Sequence, residues 1–224
     1  MDKRRNYYMM LDGETTNGLE QPLNYDIGGC IVDKNGKVYE KFSFVIYEIF
    51  SDNDLMASAY FADKIPQYRK DIKDGKRKIV RLATAKKHIR DLCKKYGVKA
   101  IVAHNAKFDY DSTKNTQRFV SCSKYRYFLP YGIPIYDTLA MARDTIVKQK
   151  GYISFCNENG FLTTYGKSSA TAENLYRYIS GNIDFNESHT GLEDCLIEKE
   201  IFAHCLRQHK KMRMRLFGGT KQKV

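Results

Sequence analysis

A single α/β domain is the fold class this sequence predicts, and three observations carry it. The chain has 224 residues, 42% of them hydrophobic and 29% charged, which suits one medium-sized domain with a substantial core. Short apolar runs rich in β-formers alternate with stretches of helical spacing. An Asn-Gly pair stands between two of the β-rich runs, which is the mark of a tight hairpin.

The elements follow in order. Tyr7-Tyr8-Met9-Met10-Leu11 is a continuous apolar run, too short for a helix, as expected of a strand buried on both faces. Runs at about Tyr25 to Val32 and Val38 to Ile46 meet across Asp33-Lys34-Asn35-Gly36-Lys37, so the first three strands read as an antiparallel meander. Helical spacing follows at about Asp54 to Phe61 and at Thr84 to Tyr96, with a polar connection between them. Lys99 to His104 is another buried strand, followed by a turn from Asn105 to Asp109 and a helix to about Cys122. Ile133 to Asp137 leads into an Asp137-capped helix reaching about Val147. Ala170 to Ile179 and Gly191 to about Lys211 are the final helices, with a frayed tail after Phe217. No repeat and no linker divides the chain, so residues 1–224 read as one domain.

Composition narrows the partner. Lys and Arg total 38 against 26 Asp and Glu, a formal charge of +12, so the surface attracts polyanions and nucleic acid comes first. The stretch from Arg69 to Lys95 carries twelve Lys and Arg against three acids, and the chain from Ile201 onward carries seven against none. A charge run alone is usually a solvated face. Here the first stretch reads as a phosphate track, with Lys86, Lys87 and Arg90 as its candidate contacts, and the segment 207–224 as a basic, flexible tail. Seventeen Tyr and twelve Phe supply core and, in part, stacking surface for unpaired bases. The six cysteines form no C-x-x-C pair, which argues for reduced core residues in an intracellular protein. No apolar run approaches the roughly 20 residues of a membrane helix, and a soluble, cytoplasmic protein without membrane partners is expected.

Carboxylates carry the chemistry. Asp12 and Glu14 end the first strand, and strand periodicity projects residues two apart onto one face. Their repulsion is tolerable around a hard divalent cation such as Mg²⁺, which prefers oxygen ligands. An isolated D-x-E also reads as a turn cap beside a solvent-facing acid. Asp109 closes His104-Asn105-Ala106-Lys107-Phe108-Asp109 just after a strand. In Ser188-His189-Thr190-Gly191-Leu192-Glu193-Asp194, Thr190 and Glu193 fit a capping box, which places Asp194 on a rigid first turn and His189 on the segment before it. Taken singly, Asp109 and Asp194 also read as helix-start acids and His189 as a surface histidine.

Taken together, D-x-E, H-N-x-x-F-D, Asp137-Thr138-Leu139 and H-x-x-x-x-D stand in the order found in one family. The chain resembles the DEDDh branch of the DnaQ-like 3′–5′ exonucleases from residue 7 to about 206. The resemblance implies an RNase H-like fold, a mixed five-stranded sheet flanked by helices with its first three strands antiparallel. It implies hydrolysis of single-stranded DNA or RNA 3′ ends to nucleoside 5′-monophosphates with two Mg²⁺, for which Mn²⁺ substitutes. DNA is the favoured substrate and a DNA polymerase a potential partner. RNA trimming and a non-catalytic nucleic-acid-binding module are the alternatives. By resemblance Asp12 bridges both ions, Glu14 and Asp194 complete the first site, Asp109 holds the second, and His189 is the general base. Thr15 and Phe108 are candidate substrate contacts, Phe108 by stacking on an unpaired base. Two departures mark this chain: Gly13 stands where the family has a larger residue, and Asn17 lengthens the segment between Thr16 and Gly18-Leu19. The basic stretch from 69 to 95 reads as an insertion.

Overall fold

The computed structural model describes residues 4–18, 20–122, 124, 126–218 and 221–223; Leu19 lies outside them. In chain order the strands are β1 (Tyr7–Asp12), β2 (Thr15–Thr16), β3 (Leu23–Asn24), β4 (Asp26–Asp33), β5 (Val38–Ile46), β6 (Lys78–Val80), β7 (Ala100–Ala103), β8 (Ile135–Asp137), β9 (Lys211–Arg213) and β10 (Lys221–Lys223). The helices are α1 (Tyr47–Phe50), α2 (Asn53–Met56), α3 (Ile65–Lys73), α4 (Leu82–Tyr96), α5 (Ala106–Val120), α6 (Thr138–Asp144), α7 (Lys150–Asn159), α8 (Ala172–Ser180) and α9 (Gly191–Arg207).

The main sheet runs β6-β5-β4-β1-β7-β8. β1, β4 and β5 form the expected antiparallel meander, while β7 joins β1, β8 joins β7 and β6 joins β5 in parallel. In the β4–β5 turn Gly36 takes positive φ at +81°, whereas Asn35 does not; Asp33 Oδ1 accepts from the amides of Asn35 and Lys37 instead. The turn is therefore longer than a two-residue hairpin.

The sheet has six strands rather than five. The sixth is β6, inside the basic stretch, where Lys78, Ile79 and Val80 pair with Phe44, Val45 and Ile46. Its lysine and exposure suit an edge strand, and they hide it from an apolar-run search. The stretch 69–95 is thus no appendage. α4 buries Leu82, Ala85, Ile89, Leu92 and Cys93 and ends on Gly97 in the left-handed conformation, while α3, also missed in the sequence, buries Tyr68. α7 was likewise not anticipated; it seats Tyr152 and Cys156, four residues apart, in the core.

The segment before Phe217, assigned to the flexible basic tail, is instead built into the fold. Met212 and Met214 are buried, and Arg213 Nε donates to Asp144 Oδ2 at 3.0 Å. Leu216 N donates to the Ile135 carbonyl at 2.8 Å and Asp137 N to the Met214 carbonyl at 2.8 Å, so this segment runs beside β8. β10 pairs antiparallel with β9. Alternating cations on the outer side masked two apolar anchors. Residues 219, 220 and 224 of the expected frayed end lie outside the described residues.

Two cores sit on opposite faces of the sheet. Tyr7, Met9 and Leu11 pack with Ile27, Phe44 and the buried face of α4. Met10 packs on the other face with Cys30, Val102 and Ile201 and Phe202 of α9. The period of two then sends Asp12, at the end of β1, to the α9 side. Five of the six cysteines are buried, as expected of core residues, whereas Cys122 is exposed. Among the described residues no helix is long and apolar enough to cross a membrane.

Candidate active site

The site forms where α9 meets the end of β1. That approach is close enough to require two glycines: a Cβ on Gly28 of β4 would lie 2.1 Å from Leu192 N, and one on Gly191 would lie 2.9 Å from the Asp12 carbonyl. Polar groups then fix the helix start. Asp26 Oδ2 accepts from Gly191 N at 3.0 Å and from Tyr68 Oη at 2.6 Å, and Arg77 Nη2 donates to Glu193 Oε2 at 3.0 Å. Arg77 is buried, stacks over Tyr68 and also pairs with Asp71, so this cation of the basic stretch serves the fold.

The capping arrangement differs from the expected box. Thr190 Oγ1 bonds Glu193 Oε2 at 2.6 Å, but the carboxylate that accepts the Thr190 N–H is Asp194 Oδ2, at 2.9 Å. Ser188 Oγ donates to Asp194 Oδ1 at 3.2 Å. The predicted ligand is thereby oriented by the helix start that the sequence indicates.

Asp12, Glu14 and Asp194 each place a carboxylate oxygen so that all three lie within 4.8 Å of one another. Asp109 stands outside that trio, in the first turn of α5 rather than in a loop, because Asn105 takes a left-handed conformation (φ +64°, ψ +47°) and starts the helix early. Asp137 caps both neighbours, accepting Asn105 N at 3.1 Å and Leu139 N at 3.0 Å. The Gly13 N–H hydrogen-bonds the Asp109 carboxylate and ties α5 to β1. Gly13 itself leaves room for Asn24, whose Nδ2 would be 2.3 Å from a Cβ there, which accounts for the missing larger residue.

All four acids line one cavity of about 570 Å³ together with Thr15, Phe108 and His189. His189 has positive φ (+53°) and stacks its ring on Phe61, with centroids 4.0 Å apart and planes 11° from parallel. The segment carrying Phe61 is held over β2 by Tyr60 N donating to the Thr15 carbonyl at 3.2 Å. His104 of the second motif bridges Thr138 Oγ1 and the Ala170 carbonyl, a structural tie. Sequence reasoning missed Tyr60, Phe61, Glu187 and Glu198 in this cavity. Glu198 was legible as the residue one helical turn after Asp194; Tyr60 and Phe61 carried no local signal.

Lys86, Lys87 and Arg90 are not in this cavity. They line a separate groove of about 900 Å³ with Arg81, Tyr127 and Tyr131. Lys86 Nζ donates to Gln117 Oε1 at 2.9 Å and to the Tyr127 carbonyl at 2.7 Å, and Lys87 pairs with Asp91.

Burial and mutual repulsion push the cavity acids above the ordinary carboxyl range. Burial, then Asp194, pushes Glu14 up to about 9; burial raises Asp109 to about 8 and Asp194 to about 7. Asp12 rises for the same reason, burial first and Glu198 next. Among the described residues no Lys or Arg forms an ion pair with any of the four. A site of crowded, unpaired carboxylates fits hard divalent cations. A consequence for stability follows. Because the folded pKa values are raised, the folded chain holds extra protons between about pH 4 and 9, so stability is present at low pH and lost as pH rises through that window. In chelator, the melting temperature of the wild type should fall between pH 5 and 9 more steeply than that of Glu14→Gln. Parallel curves would remove the like-charge account.

No family profile matches the sequence, and no curated protein sequence matches it. Solved structures do match. The cell-death related nuclease CRN-4 superposes with a TM-score of 0.52 at 11% identity, covering 94% of this chain and 67% of that one. E. coli exonuclease I in complex with a dA16 oligonucleotide superposes with a TM-score of 0.57 at 15% identity, and apo exonuclease I with 0.54 at 14%. This chain is covered over 92% in both, yet spans less than half of the exonuclease I chains, 44% and 45%. With its mixed sheet flanked by helices, the chain has the RNase H-like fold that these nucleases share.

Proposed function

We propose that this chain is a metal-dependent 3′–5′ exonuclease acting on single-stranded nucleic acid, with DNA as the favoured substrate. The observation that carries the reading is the convergence of Asp12, Glu14 and Asp194 within 4.8 Å, in one cavity with Asp109 and His189. The exonuclease I neighbour bound to a dA16 oligonucleotide supports a single-stranded DNA substrate.

Asp12, Glu14 and Asp194 would hold one Mg²⁺ or Mn²⁺, and Asp12 and Asp109 a second. When bound, the cations supply the positive charge that offsets the charge gathering on the phosphate in the transition state. His189, at the rim and off the carboxylate trio, takes the proton of the attacking water. Its imidazole is held below its ordinary pKa by partial burial, so it is the free base near neutral pH. Phe61 fixes its ring plane by stacking. Phe108, half-buried in the cavity wall beside Asp109, offers a face to the terminal base, and Thr15 lines the cavity beyond Glu14. The product is a nucleoside 5′-monophosphate.

The test compares 5′-labelled and 3′-labelled single strands of DNA and RNA with Mg²⁺ and with chelator. Expected are a ladder of shortened 5′-labelled strands and immediate release of mononucleotide from 3′-labelled ones, both abolished by chelation and restored by Mg²⁺ or Mn²⁺. Release from 5′ ends, or full activity in chelator, would overturn the proposal.

The basic groove serves, in this reading, as the path of the strand upstream of the reacting end. Replacing Lys87 and Arg90 by Gln should weaken binding and flatten its dependence on salt, because fewer counterions are released, while turnover at saturating substrate changes little. Lys86 is left out because its hydrogen bonds join α4 to Gln117 and Tyr127. Equal salt slopes would assign the groove to ordinary solvated surface.

A further inference from the structure

We propose that Glu198 is a further metal ligand of this site. The inference rests on the metal-dependent reading above and extends it to a residue outside the motifs that suggested it.

The placement is specific. Glu198 follows Asp194 by four residues on α9, about 6 Å further along the helix on the same face, and it lines the cavity. Its side chain belongs to a residue only 3% exposed. One carboxylate oxygen is accounted for by the backbone N–H of His104, at the end of β7. The other, Oε2, is buried with no hydrogen-bond partner. Among the described residues no Lys or Arg forms an ion pair with Glu198.

A buried carboxylate oxygen with neither donor nor countercharge is expensive, and an apolar side chain would fill the same helix position without that cost. The surroundings show what would relieve it. Burial pushes the carboxyls of Asp12 and Glu198 up, Glu198 adding next for Asp12 and Asp109 next for Glu198, so the acids of this cavity repel one another. Glu198 lies outside the Asp12, Glu14 and Asp194 trio and adds a further carboxyl group to the cavity that holds them and Asp109. The partially satisfied geometry is also what a ligand needs: the His104 amide orients the carboxylate while leaving one oxygen unclaimed.

The experiment titrates Mn²⁺ calorimetrically into the metal-free full chain with thymidine 5′-monophosphate present, alongside melting temperatures in chelator. Wild type should take up two Mn²⁺. Glu198→Gln, which keeps side-chain volume and the oxygen facing His104, should retain one site and weaken the other by about tenfold or more. Its melting temperature in chelator should be unchanged or higher, because side-chain volume is kept and one buried acid of the repelling cluster is removed. Two sites of wild-type affinity in Glu198→Gln would overturn the proposal, whatever the melting temperature, and would leave Glu198 a structural residue. Should Glu198→Gln fail to fold, Glu198→Asp keeps the charge and withdraws it by one methylene; the same loss at one site supports the proposal, and wild-type uptake overturns it. Mg²⁺-dependent hydrolysis by the wild type separates the two readings: hydrolysis with unaltered uptake in the variants removes Glu198 alone, whereas a wild type that neither hydrolyses nor binds Mn²⁺ removes the exonuclease reading and this inference together.

Discussion

Asp12→Asn should slow hydrolysis by about 10³-fold while leaving a folded and, in chelator, more stable protein. Asp12 is the carboxylate common to both proposed cation positions, so its loss removes charge from both at once. Forfeiting about 4 kcal/mol of transition-state stabilisation slows turnover about 10³-fold. Glu14, Asp109, Asp194 and Glu198 all surround Asp12, and its carboxyl is pushed up by burial and by each of them. Taking away one of several repelling acids relieves the metal-free state. Turnover on a labelled single strand and a thermal melt in chelator check both halves, and wild-type turnover by Asp12→Asn would show that the bridging ligand is assigned wrongly.

His189→Ala should slow hydrolysis by roughly 10²–10⁴-fold, the usual worth of a positioned base, with Mn²⁺ uptake unchanged. That combination distinguishes it from Asp12→Asn. With His189 as the proposed base, the wild-type rate should fall as pH drops through its pKa, and partial burial places this acid limb below the ordinary histidine value of about 6.5. Glu173 and Asp63 pull it back up, while Lys64 adds to the lowering. In His189→Ala the acid limb attributable to the imidazole should disappear. Near-normal turnover with an unaltered pH profile would make His189 a surface histidine stacked on Phe61 and nothing more.

The legible part of this site was local. The strand period carried from Met10 to Asp12 puts the two on one face, and Asp12 does lie on the α9 side of the sheet. Asp137 before Thr138 announces a capped helix, and Asp137 Oδ1 accepts the Leu139 amide at 3.0 Å. Asp109 was legible as an acid near a strand end, but its helical setting depends on the left-handed Asn105, which periodicity does not reveal. Glu193 was chosen as the reciprocal partner of Thr190 on spacing; Arg77, 116 residues away in sequence, holds that carboxylate, and Asp194 accepts the Thr190 amide instead.

The amino-acid sequence by itself determined which residues lie on each side of an element: the apolar stripe of α4, the meander of β1, β4 and β5, the order of the three acidic motifs, and the charge that makes a polyanion the natural partner. These are properties of short windows, set by the periods of strand and helix and by capping chemistry. The tertiary structure alone decided what each face meets. It drew Lys78-Ile79-Val80 into the sheet, docked Met212 and Met214 beside β8, brought Gly191 against Gly28, and stacked Phe61 on His189. Each pairs segments far apart in the chain, and such a pairing depends on the shape and burial of both partners together, a quantity that neither segment carries alone.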